Sequence, residues 1–168
     1  MNITLITTGG TIAKTYNERD GSMRNDRPVV ENIVSALRAS DLVVTYKHLL
    51  YKDSRDLTEA DRRLILEATR GTLNECDAIV IVHGTDTLAE TGELLCRELG
   101  ELPIPVVLTG AMRPYEFRYS DALQNMTEAL LACRLVKPGV YVSMHNRVLS
   151  FPGVIKDRQD LCFVKPST

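Results

Sequence analysis

Short apolar runs alternate along this chain with longer stretches of helical periodicity, and that alternation limits the possible folds more than any other feature. Residues 78–82 (Ala-Ile-Val-Ile-Val) and 105–109 (Pro-Val-Val-Leu-Thr) are apolar blocks with no polar alternation. Runs of this length and composition suit strands buried on both faces, as in helix-covered parallel sheets. Residues 3–8, 42–50 and 140–144 read as further strands. Between them, Val30, Ile33, Val34 and Leu37 recur at helical spacing. So do Leu64, Ile65, Ala68 and Leu73, then Leu88, Leu95 and Leu99, then Leu123, Met126, Leu130 and Leu131. Pro28 sits where a first helical residue is tolerated. Thr58-Glu59-Ala60-Asp61 reads as a capping box with Asp in the usual Glu place. Ser120 or Asp121 opens the last helix, and Asn146-Arg147 turns the last strand into a hairpin. Residues 14–27 are polar, lack core periodicity and read as a mobile loop. The expected fold class is α/β, a helix-covered and largely parallel sheet with right-handed crossovers.

The 168 residues fit one domain over 1–168, large enough for a core without disulfide or metal staples. Twenty basic against 22 acidic side chains leave a formal charge of −2, which argues against a nucleic-acid partner. The apolar runs are too short for a membrane span. The first residues carry no basic segment ahead of an apolar one, and Gly9-Gly10 interrupts the apolar run, so a cytoplasmic location is expected. Cys76, Cys96, Cys133 and Cys162 form no CxxC pair and read as free thiols rather than a disulfide frame or a zinc site.

In open α/β sheets, ligands bind beyond the carboxyl ends of the strands. Three such ends carry dense motifs: Thr7-Thr8-Gly9-Gly10-Thr11-Ile12, His83-Gly84-Thr85-Asp86-Thr87 and Thr109-Gly110-Ala111-Met112-Arg113-Pro114. The second strand adds Asp53-Ser54-Arg55-Asp56. Neither a G-x-G-x-x-G fingerprint nor a Walker loop is present, which argues against nucleotide binding. Gly9-Gly10 permits a sharp turn and close approach to a ligand, or is only a tight turn. The Thr11 hydroxyl follows it and needs a proton acceptor to act as a nucleophile. Tyr16 is either a lid over Thr11 or an exposed loop aromatic. Thr85 and Asp86 offer a hydroxyl beside a carboxylate, or cap the helix that follows. His83 is read as a structural strand-end histidine ahead of a general base, and His48 and His145 show no partner pattern. Arg113 is an anion ligand or half of an internal ion pair. Ser54 alone reads as a turn residue.

Taken together, Thr8-Gly9-Gly10-Thr11-Ile12-Ala13 and His83-Gly84-Thr85-Asp86-Thr87 resemble the two signatures of bacterial-type L-asparaginases. Gly110-Ala111-Met112-Arg113-Pro114, with Ser120-Asp121 and Asn125, matches the same family, and the resemblance covers most of the chain. It implies the fold of the family's N-terminal domain, in a short single-domain form without the C-terminal domain. It also implies that Thr11 is the nucleophile and that Tyr16 of the flexible loop assists it. Thr85 is then the second threonine, and Asp86 the carboxylate that holds the substrate's α-amino group. Ser54 and Arg55 fall at the substrate's α-carboxylate end, where Gln is common in place of Arg55. Gly10, Gly84, Ala111 and Met112 complete the expected substrate-binding set. The lysine that completes the second triad is expected before the Pro105-Val106-Val107 run, where this chain has Ile104.

The resemblance implies hydrolysis of L-asparagine to L-aspartate and ammonia through a threonine acyl-enzyme, with no metal or organic cofactor. A homodimer covering the open rim is expected. Two other readings stay open at this point. With Ile104 in the lysine position and the second domain missing, one expectation is a small amino-acid sensor with little turnover. Alternatively, Arg55 redirects the amidohydrolase to another amide such as glutamine.

Overall fold

A computed structural model describes residues 1–166. In chain order it runs β1 (Asn2–Gly9), β2 (Thr15–Tyr16), β3 (Met23–Arg24), α1 (Val30–Ser35), β4 (Val43–Lys52), α2 (Glu59–Thr72) and β5 (Ala78–Val82). It continues through α3 (Leu88–Leu99), β6 (Pro105–Thr109), α4 (Ala122–Leu135), β7 (Gly139–Met144), β8 (Arg147–Ser150), β9 (Ile155–Asp157) and β10 (Cys162–Val164). Six strands form the central sheet in the order β4-β1-β5-β6-β7-β8. Its pairings are parallel except for the terminal β7–β8 hairpin. The expected mostly parallel α/β sheet is therefore what the chain forms.

The two faces follow from the period of the strands. In β5, Val80 and Val82 point to one side, with Ile3 and Leu5 of β1 and Val107 of β6, and pack under α1 and α4. Ile79 and Ile81 point to the other, with Ile6, Val106 and Leu108, under α2 and α3. All five side chains of β5 are buried, as a strand covered on both faces requires. Helix α2 starts at the anticipated capping box: the Asp61 N–H donates to Thr58 Oγ1 at 3.2 Å, and Asp61 Oδ2 accepts from the Thr58 N–H at 2.8 Å. Lys52 also donates to this carboxylate, and those hydrogen bonds hold the Asp61 pKa down to about 2.

Several local expectations are corrected. Residues 14–27 are not a featureless loop; β2 and β3 pair in a small antiparallel hairpin. Pro28 lies outside α1, which begins at Val30 with Val29 in the capping position. Asp121 does open α4 as read, in the capping position, but without a side-chain cap; its carboxylate turns to the loop after β6 instead. The β7–β8 turn is set at His145 and Asn146, which take φ 52° and 60°. Among the described residues, no helix is long and apolar enough to cross a membrane.

The face under α3 is closed by the segment after β8. Phe151 lies directly over Gly92, and a Cβ at Gly92 would fall 2.1 Å from its ring. Gly92→Ala is expected to destabilise the fold by about 1–3 kcal/mol through overpacking, despite a helix-propensity gain of up to ~1 kcal/mol. Urea denaturation checks this, and a raised midpoint would mean that Phe151 moves aside without cost.

Candidate active site

The strand order makes a switch point. From β1 the chain passes to β4 on one side of the sheet, then returns to β5 on the other. A crevice opens where two such connections diverge beyond the strand ends. β1 leads into Gly10-Thr11, and β5 leads into His83-Gly84-Thr85-Asp86. The two threonine turns therefore flank one crevice.

The turns are in direct contact. Gly10 has φ +82°, a region that L side chains rarely adopt, and a Cβ there would lie 2.5 Å from the Gly84 backbone. A Cβ on Gly84 would in turn meet Ser54 Cβ at 2.6 Å. The loops after β1, β5 and β4 thus stack backbone against backbone. Gly110 joins them after β6, with its Cβ position 2.3 Å from the His83 carbonyl oxygen. The Gly10 N–H is engaged by the Lys52 carbonyl at 2.8 Å, so it is not free for a ligand. Thr11 opens a single 3-10 turn and is half-buried. Its hydroxyl makes no hydrogen bond among the described residues.

Thr85 and Asp86 do not cap α3. Thr87 takes the capping position, without a side-chain cap, and its hydroxyl donates to the Ser54 carbonyl at 2.8 Å. Thr85 and Asp86 face Lys156 instead. Lys156 Nζ donates to Thr85 Oγ1 at 2.8 Å and to Asp86 Oδ1 at 2.7 Å. The Thr85 hydroxyl donates onward to Met112 Sδ at 3.5 Å. Lys156 has only 10% of its side chain exposed. Its hydrogen bond, followed by its charge and that of Arg55, holds the Asp86 carboxyl below the usual range.

This corrects the expectation about position 104. Ile104 packs against the core on the α2–α3 face. The cation comes from β9, some 70 residues after Thr85 in the chain. Its signal in the sequence was a lone lysine in a short polar segment, with no spacing to tie it to Thr85. Lys14, at the exit of the Thr11 turn, pairs with Asp53 at 2.7 Å rather than with Asp86.

Ser54 is buried in the 3-10 turn Ser54–Asp56, which Asp53 caps by accepting from the Arg55 N–H. Arg55 is exposed; its Nε lies 3.3 Å from Asp53 Oδ1 and 3.5 Å from Asp86 Oδ2. Burial alone would raise the Asp53 carboxyl, but hydrogen bonds from Lys14 and Arg55 outweigh it and hold it well below its ordinary value. Tyr16 is exposed, and its ring hydroxyl lies over Gly21 within its own hairpin. Its N–H donates to Glu116 at 2.6 Å, which ties the hairpin to the loop after β6. Ala111 is buried and Met112 half-buried. Arg113 is exposed, and its N–H, like that of Met112, donates to Asp121. Asn125 and His145 bond the same carboxylate at 2.8 Å each, so His145 does have a partner and the loop carrying Met112 is held firmly.

His83 is fully buried, as expected of a structural histidine. Nδ1–H donates to the Gly84 carbonyl at 2.8 Å, and Nε2 accepts from Thr91 Oγ1 at 2.9 Å. Burial pushes its pKa down from 6.5 to about 4, against the raising effect of the Gly84 bond. The unfolded chain then binds this proton at higher pH than the folded chain. The ring's contribution is full above pH ~6.5 and falls away as pH drops toward ~4, a loss of about 3 kcal/mol. Urea midpoints measured across that window are expected to drop more steeply for the wild type than for His83→Gln; equal slopes would exclude this role.

The family description "Asparaginase, N-terminal" matches residues 2–159. The chain is 34% identical over 149 residues to an L-asparaginase of Thermococcus kodakarensis, covering 89% of this chain and 45% of that protein. It is 32% identical over 147 residues to a glutamyl-tRNA(Gln) amidotransferase subunit of Thermoplasma acidophilum, covering 85% of this chain and 35% of that one. In structure it is similar to the thermostable L-asparaginase from Thermococcus kodakarensis, with a TM-score of 0.84 over 93% of this chain and 48% of that chain, at 34% identity. The chain spans less than half the length of these relatives.

Proposed function

Because the chain belongs to the asparaginase family, we propose that its rim hydrolyses the side-chain amide of a small substrate, L-asparagine in the first instance, to the acid and ammonia. The observation that carries this reading is the Lys156–Thr85–Asp86 cluster set against the Gly10-Thr11 turn. Thr11 Oγ attacks the amide carbon. Once the β2–β3 hairpin closes, the Tyr16 hydroxyl relays the proton, accepting that of Thr11 while passing its own to the leaving nitrogen, which departs as ammonia. The resulting ester is hydrolysed by a water that Thr85 and Lys156 position. N–H groups at the start of the Thr11 turn and of α3 stabilise the oxyanion, each worth on the order of 10²–10³ in rate. Ser54 and Asp86 hold the far end of the substrate. A second copy of the chain over the open rim belongs to the same reading.

Lys156 also counts against the binding-only reading so far as that reading rests on the apolar residue at position 104. The amidotransferase relative leaves the amide's identity open between asparagine and glutamine. Ammonia release from L-asparagine, L-glutamine and succinamate tests the proposal, and the absence of ammonia from every amide would refute it.

A further inference from the structure

Both oxygens of the Asp86 carboxylate face cations of the chain itself. Oδ1 takes Lys156 at 2.7 Å, and Oδ2 faces Arg55 at 3.5 Å. Arg55 is held over Asp86 by its other partner, Asp53, whose second oxygen takes Lys14. Three cations thus stand on two carboxylates. Asp56 acts on Arg55, and Arg158 on Asp86, at longer range, one charge of each sign. The balance leaves this end of the crevice with an excess positive charge. A substrate's ammonium would be a third cation on Asp86 and would compete with Arg55 for Oδ2. A substrate carboxylate meets no such opposition.

We infer that Arg55 sets substrate choice by competing with a substrate ammonium for Asp86, so that the site is shifted toward ω-amides of dicarboxylates that lack a free α-ammonium. This rests on the amide-hydrolysis reading and names its substrate class. Succinamate is the matching probe, since it differs from L-asparagine only in lacking the ammonium. Arg55 is 69% exposed, so salt and water weaken its pairing, and its removal leaves the core untouched.

The experiment compares kcat/KM for succinamate and L-asparagine in the wild type and in Arg55→Gln. The wild-type ratio of succinamate to asparagine is expected to exceed the variant's by at least about five-fold. A smaller change overturns the inference and leaves amide hydrolysis standing. If neither amide releases ammonia, the hydrolysis reading fails, and product binding decides the inference separately. Calorimetry then compares succinate with L-aspartate on both proteins, with the same five-fold criterion on the affinity ratio. Failure of the wild type to bind either product overturns it as well.

Discussion

Thr11→Ala is expected to lower ammonia release by at least about 10³-fold, because the acyl-enzyme then has no oxygen to form on. The fold is expected to survive. The Thr11 hydroxyl has no hydrogen-bond partner among the described residues and the side chain is only half-buried. The thermal midpoint should therefore stay within about 2 °C of the wild type. Thr11→Ser, which restores a hydroxyl, is expected to recover part of the rate. Undiminished turnover in the alanine variant would move the attack to Thr85, whose oxygen already faces Lys156.

Lys156→Met is the second large effect. The substitution keeps the length of the apolar stem and removes the charge. Thr85 loses its donor and Asp86 loses its 2.7 Å partner, keeping only the more exposed Arg55. A fall in kcat of about 10²–10³-fold is expected, the range for losing one aligned polar group in a water-poor site. The Asp86 carboxyl, released from the hydrogen bond that contributes most to lowering it, is expected to rise toward its ordinary value. The acid limb of any remaining pH–rate profile then moves upward. A purely structural lysine would lower the melting temperature without moving that limb. Turnover within a few-fold of wild type would remove Lys156 from the chemistry.

The parts of the fold and site that were legible in the sequence were those fixed by local rules. Residues 78–82 announce a strand buried on both faces because no polar residue interrupts them, and they form β5. The capping box at Thr58 and Asp61 depends on residues three apart, and it forms as read. The glycine turn at Gly9-Gly10 was recognisable because close backbone approach has few chemical solutions. What the sequence hid was non-local. Lys156 meets Thr85 only through the packing of a short hairpin over a strand end. The resemblance pointed to a cation beside the apolar run at 105–107, whereas the donor on Thr85 arrives through space. Arg55 was identifiable as an unusual residue, but its contact with Asp86 depends on how two loops face each other. Thr85 and Asp86 were also open to a capping role, and only the placement of Thr87 removes it.

The late position of Lys156 in the chain also bears on synthesis. The strands of the parallel sheet and both threonine turns are translated by residue 144, ahead of the segment that carries the cation. A nascent chain arrested before residue 156 would carry the strands of the parallel sheet but not Lys156, the cation of the proposed site.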